Sequence, residues 1–169
     1  MTTSPSQKKD RITLTRQVRG TLAEVWELWT TKEGLESWWG PDGFRVEVRT
    51  LDVRLGGTCE YDMIAVAPEM IAFMKTQNAP TTTAARLRYT VVEPHRRLAY
   101  QHAADFIPGL APYDVEVTVD LYPADGGVKL LLTTDRMHDE TWTKRAVMGW
   151  DSELGKLERL LAGRAGVRP

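Results

Sequence analysis

The chain has one cysteine, Cys59, in 169 residues, which excludes an intramolecular disulfide framework and removes any need for an oxidising compartment. It has no long apolar run. The most hydrophobic stretch, Met63 to Met74, is broken by Pro68 and Glu69, well short of the ~20 residues that a membrane-spanning helix needs. The polar start, Met1 to Arg11, carries Lys8, Lys9 and Asp10 and has no apolar centre for a signal peptide. Neither sign of charge dominates: 22 Lys and Arg against 23 Asp and Glu leave −1, which argues against a generally basic nucleic-acid binder. A Gly-x-Ser-x-Gly elbow, a Walker loop and a Gly-x-Gly-x-x-Gly turn are all missing. His95, His102 and His138 lie on separate segments, without the short spacing of a metal site. These absences predict a cytoplasmic protein with no cofactor, no metal, and neither nucleic acid nor membrane as a partner.

What is present fits one folded domain. Hydrophobic residues make up 42% and charged residues 27%, enough apolar material for a core and too little charge density for disorder. Residues 1–10 read as a flexible tail, 11–163 as a single domain and 164–169 as a second tail. Ile12, Leu14, Arg16 and Val18 alternate with polar residues, a strand signal. Thr21-Leu22-Ala23-Glu24 has the form of a capping box, and Leu22, Val25, Trp26, Leu28 and Trp29 follow at helical spacing. A second short helix is predicted over Thr31 to Trp39, stopped by Gly40-Pro41. From Phe44 the period becomes two. Phe44, Val46 and Val48 share one parity, while Leu51, Val53 and Leu55 share the other, which predicts a bulge near Thr50. Further alternating runs carry Cys59, Tyr61 and Met63; Leu87, Tyr89 and Val91; Leu98 through Phe106; Tyr113 through Leu121; and, after Asp125-Gly126-Gly127, Val128 through Leu132. The period returns to helical over Asp139 to Ala162. There Trp142, Ala146, Gly149, Trp150, Leu154, Leu157 and Leu161 form one stripe, and Gly163 reads as the stop. The predicted class is α+β: a meandering antiparallel sheet of about seven strands covered on one face by the long C-terminal helix.

Val25-Trp26, then Trp38-Trp39-Gly40-Pro41, Leu55-Gly56-Gly57 and Gly149-Trp150 within a terminal helix together resemble homologues of the C-terminal domain of the heat-shock protein 90 ATPase activator. That family lies within the START-related, Bet v 1-like (SRPBCC) helix-grip superfamily. The resemblance covers about residues 11–162 and implies a curved sheet gripping the helix over a cavity. It also implies two functional alternatives: a chaperone as protein partner, or cyclase- or dehydratase-type chemistry. The chain departs from the family in the insert 66–83. Pro68 there suits a helix N1 position, and Met70, Ile71, Phe73 and Met74 give a short apolar face. The insert reads as a flap packed on the sheet rim, a lid, or a dimer contact.

Candidate site residues follow from polarity on the buried face. Tyr61, Tyr89, Tyr100, His102 and Tyr113 share the parity of the apolar residues around them, where a dry core would carry Leu, Ile or Val. Their polar atoms need partners when buried, so this pattern predicts an apolar pocket with a few polar groups. His102 suits orientation of a ligand or, with Tyr100 or Tyr113, general acid–base work. Arg16 shares the parity of Leu14, which aims it either at an anionic ligand group or at a strand carboxylate such as Glu60 or Asp62. Trp38 and Trp39 cannot share one helical face, so one is expected inside and the other at an edge or partner. Trp39, His138, Trp142 and the insert residues Met70 and Met74 complete the set expected around the pocket. The sequence thus predicts a monomeric or homodimeric module that binds a small hydrophobic or aromatic molecule.

Overall fold

The computed structural model of the chain describes residues 10–167. Seven strands form one antiparallel sheet: β1 (Arg11–Arg19), β2 (Phe44–Leu51), β3 (Thr58–Ala65), β4 (Thr82–Glu93), β5 (Arg97–Ala104), β6 (Tyr113–Ala124) and β7 (Gly127–Asp135). The order across the sheet is β1-β7-β6-β5-β4-β3-β2. Strands β2 to β7 therefore meander between neighbours, and β1 closes on β7 in an unbroken register from Arg11 opposite Asp135 to Arg19 opposite Gly127. The bulge expected near Thr50 is present, between Val48 and Thr50 on β2. A second one lies between Tyr89 and Val91 on β4. Such bulges bend a strand and increase its twist, and here they curve the sheet around the helix.

Two short helices, α1 (Leu22–Thr30) and α2 (Lys32–Trp38), link β1 to β2. The capping box forms: the Glu24 N–H donates to Thr21 Oγ1 at 3.1 Å, and the Thr21 N–H donates to Glu24 Oε1 at 3.3 Å. Trp38 and Trp39 are both buried, a departure from the expected split. Trp38 is the last helical residue and donates its Nε1–H to Leu28 O at 2.9 Å. Trp39 has already left the helix with extended backbone (φ −70°, ψ 152°), so its ring is free of the helical phase and also turns inward.

The insert forms α3 (Pro68–Thr76), with Pro68 in its first turn and no residue fully buried. It sits over Gly43, whose carbonyl accepts from the Val66 and Ala67 N–H groups. Strand β4 begins at Thr82, inside the range expected for the insert, and Phe106 lies beyond the end of β5.

The long helix α4 (Glu140–Val167) is capped by Asp139, which accepts from the Trp142 N–H at 2.8 Å. It continues past Gly163 and takes in the first residues of the expected tail. Residues 1–9 and 168–169, which hold the rest of both expected tails, lie outside the described residues. Leu154, Leu157 and Leu161 are fully buried against Leu14, Val18, Leu130 and Leu132. No helix among the described residues is long and apolar enough to cross a membrane.

Candidate functional site

Toward its N-terminal half, α4 lifts away from full packing. A cavity of about 300 Å³ lies between the helix and the concave face of the sheet. Small residues hold it open: Ala146 and Gly149 on the helix face Ala104, Val115 and Val117 on the sheet. A Cβ added to Gly149 would meet no atom within 4 Å. With Ala146 and Gly149, the helix contributes Trp142, Arg145, Trp150 and Glu153, all on one face at helical spacing over roughly 16 Å of axis at about 1.5 Å per residue. The sheet contributes Tyr61 and Met63 from β3, Tyr100 and His102 from β5, and Thr134 from β7. Trp39 and Pro41 close one end; Phe106 and Met137 flank the other.

The two ends differ in character. At the Trp142 end, Phe106 packs 5.9 Å from the Trp142 ring, the Arg145 guanidinium lies 4.9 Å above it, and Phe106 is exposed. This is the mouth. At the Glu153 end the rings of Trp39 and Tyr61 are 4.6 Å apart, and polar atoms collect. The Tyr61 hydroxyl is hydrogen-bonded to His102 Nε2 at 3.0 Å. Tyr100 is buried, and its hydroxyl has no hydrogen-bond partner among the described residues. Glu153 is buried too, and its Oε1 accepts the Gly40 N–H at 3.1 Å.

Burial sets the protonation of these groups, because low dielectric penalises the charged form. The Glu153 carboxyl is pushed up to about 8, against the opposing pull of the Gly40 N–H and the Lys156 ammonium. The His102 imidazole is held below its usual value by burial, with Asp105 and Asp114 acting in the other direction. Burial raises the Tyr61 and Tyr100 phenols well above theirs, and Glu153 adds to both effects. Near neutral pH the inner end is therefore largely uncharged, with a carboxyl close to its own titration range.

The same helix turn anchors the loop after α2. Glu153 takes the Gly40 N–H, and Lys156 donates to the Gly40 carbonyl at 2.8 Å. Ser152 Oγ accepts the Asp42 N–H at 2.8 Å. Gly40 has φ +91°, a backbone conformation that favours glycine, and this explains the glycine after the tryptophan pair.

Five of the eleven residues singled out in the sequence line the cavity: Trp39, Tyr61, Tyr100, His102 and Trp142. The other six are placed elsewhere. Arg16 faces α4 rather than the cavity and pairs with Asp151 and, at 2.9 Å, with Glu158. Glu60 and Asp62, its expected strand partners, instead face Arg49. Tyr89 lies on the same face as Tyr100, directly opposite it, but packs beyond the cavity wall with its hydroxyl on the Cys59 thiol. Burial pushes that thiol up to about 11. Tyr113 turns its hydroxyl to His138 Nδ1 at 2.9 Å, so the two occupy each other outside the mouth. His138 reaches the site only through a 6.1 Å ring contact with Trp142. Met70 packs over Gly43, and neither it nor Met74 reaches the cavity wall. The expected acid–base pairings of His102 with Tyr100 or Tyr113 do not form; its hydrogen-bond partner is Tyr61.

Sequence reasoning missed Glu153, Trp150's place on the wall, Arg145 and Thr134. The signal for Glu153 was available: it sits three and four residues after Trp150 and Gly149, a carboxylate in phase with an apolar stripe.

A curved antiparallel sheet gripping a C-terminal helix over a largely apolar internal cavity defines a helix-grip protein of the Bet v 1-like class. Residues 19–162 match the family described as "Activator of Hsp90 ATPase homolog 1-like protein", and the chain belongs to that family. Solved structures of similar fold include a Chromobacterium violaceum protein at 23% identity and TM-score 0.73, covering 89% of this chain and 96% of that one. The AHSA1 protein of Silicibacter pomeroyi aligns at 21% identity and TM-score 0.71, covering 92% and 99%. The AHSA1-like protein of Aeromonas hydrophila aligns at 18% and 0.69, covering 94% and 96%. No curated protein matches the chain in sequence.

Proposed function

We propose that the chain is a binding module for a small, largely hydrophobic or aromatic molecule held between the sheet and α4. One observation carries this reading: the cavity of about 300 Å³ is walled by aromatic rings, among them Tyr100, whose buried hydroxyl has no hydrogen-bond partner among the described residues. Leaving such a group without a partner costs about 1–3 kcal/mol, a cost that a bound polar atom offsets. A volume of about 300 Å³ lies at the lower end of the roughly 300–1,000 Å³ found for small-molecule pockets. Burying apolar ligand surface, at ~25 cal/mol per Å², supplies the driving force.

The test is saturable binding of a hydrophobic fluorescent probe, compared between the native chain and two cavity-filling variants. Gly149→Leu adds side chain into open space from the helix, and Val117→Trp does so from the sheet floor. Both should weaken probe binding at least tenfold while unfolding stays cooperative. Unchanged binding in both would place the probe elsewhere and remove the support for this reading. The family's description supports a second reading, a chaperone-associated role. Co-purification of the native chain with heat-shock protein 90, undiminished in the filled-cavity variants, would favour it.

A further inference from the structure

The inner end of the cavity combines features that a purely apolar ligand does not use. Glu153 is one of only four polar or charged residues buried among those described, with Thr134, Asp135 and Thr143. Its Oε1 holds Gly40. Lys156, the cation nearest along the helix, turns its ammonium to the carbonyls of Gly40 and Phe44, at 2.8 and 3.4 Å, rather than into the cavity. Trp39, Tyr61, Tyr100 and Trp150 line the same cavity as this carboxyl. Aromatic faces carry negative potential and attract cations, most strongly when water is excluded. A buried carboxyl that accepts one backbone N–H and has no salt-bridge partner among the described residues, set among electron-rich rings, is the chemistry of a cation site. Among the residues lining the cavity the positive charge is at the mouth, on Arg145, which disfavours the reverse orientation.

On the reading that the cavity binds a small molecule, we propose that its ligand is an organic cation: an ammonium group on an apolar body, with the charge at Glu153 among the Trp39, Tyr61 and Trp150 rings. The body then runs along α4 toward Phe106 and Trp142. The groups facing Glu153 are Lys156 on its own helix, the Gly40 N–H from the loop after α2, Tyr61 on β3, and Tyr100 and His102 on β5; Asp42 and Arg159 flank Lys156. Of these, Glu153 is pushed up to about 8, and burial holds the His102 imidazole below its usual value, toward the neutral form. Binding of a cation favours the ionised carboxylate, so a proton leaves Glu153 for the buffer when the ammonium enters.

The experiment compares 3-phenylpropylamine with its neutral isostere, 3-phenylpropan-1-ol, and with 3-phenylpropanoate, by calorimetry and by displacement of the hydrophobic probe. The amine keeps its charge throughout, since primary alkylammonium groups titrate near ~10.4. At about pH 8, where Glu153 is half ionised, the amine should bind at least tenfold more tightly than the alcohol, and the acid should bind worst. Between about pH 6 and about pH 8 amine affinity should rise by up to tenfold per pH unit, with proton release seen in buffers of different ionisation enthalpy. The alcohol should show no such slope. Glu153→Gln keeps an acceptor for the Gly40 N–H and should abolish both the preference and the slope, the amine falling to the affinity of the alcohol. Equal binding of amine and alcohol in the native chain, a preference for the acid, or a preference that survives Glu153→Gln would overturn the cation site. Alcohol and probe binding without amine preference overturns this inference alone. Failure of the probe, the alcohol and the amine together overturns the binding reading as well.

Discussion

Glu153 is one side chain with two duties: it fixes the turn at Gly40 and presents a carboxyl to the cavity. Its raised value of about 8 makes stability pH-dependent in a definite direction. In the unfolded chain a glutamate ionises near ~4.3, so between there and about 8 the folded state holds the extra proton. Stability is therefore greatest below the unfolded value and falls as pH rises through this window, by up to about 1.4 kcal/mol per pH unit. Chemical denaturation at a series of pH values should show this decline in the native chain and a flatter curve in Glu153→Gln, with the variant the more stable of the two near about pH 8. A native curve that rises across the window would mean that the carboxyl is ionised and well paired. Trp150 belongs to the same scale. It is half-buried and stacks on Trp29 at 6.4 Å, with its other side on the cavity. Trp150→Ala should cost about 2–3 kcal/mol, below the range of about 3–5 kcal/mol for a fully enclosed ring, as measured by thermal unfolding.

At the scale of elements, capping and close approach decide whether the short helices form. Both are below the length at which isolated helices persist, so α1 depends on its ends. Thr21→Ala removes the acceptor of the Glu24 N–H and should lower stability by roughly 1 kcal/mol. Gly34 is a steric necessity of the α1–α2 corner, because a Cβ there would sit 2.5 Å from the Glu27 carbonyl and 2.8 Å from Leu28 Cα. Gly34→Ala should cost about 1–3 kcal/mol through forced separation of the two helices, although alanine is the better helix former. A stabilising effect would show that the corner relaxes freely. The end of α4 is a lesson of the same kind. Gly163 lies exposed, where a glycine reduces helix stability by about 1 kcal/mol relative to alanine without ending the helix.

At the scale of the molecule, α4 is held to the sheet by its apolar stripe and to the Gly40–Phe44 loop by Glu153, Ser152 and Lys156. Arg16 adds an ionic contact from β1 to Asp151 and Glu158. Asp151 and Glu158 are both exposed enough to be well solvated, and such pairs are worth about 0–1 kcal/mol. Arg16→Ala should therefore shift stability by less than about 1 kcal/mol and leave probe affinity unchanged. A large loss of binding would return Arg16 to the site.

The sequence by itself determined the element order, the sheet-on-helix architecture, the capping box and the bulge near Thr50. These are properties of local period and local caps, which a linear pattern carries. It also determined which face of each strand is buried, and so brought Tyr61, Tyr100 and His102 to the correct side. Tertiary structure alone decided where on that face the cavity lies. Parity fixes a direction but not a position along the strand, so Tyr89 and Tyr100 look equivalent in sequence although only Tyr100 reaches the open space. Likewise Arg16 shares the inward parity and is taken by Asp151, 135 residues away. The site's central carboxyl, Glu153, depends on the depth at which α4 crosses the sheet, and that depth is set by packing among residues distant in the chain.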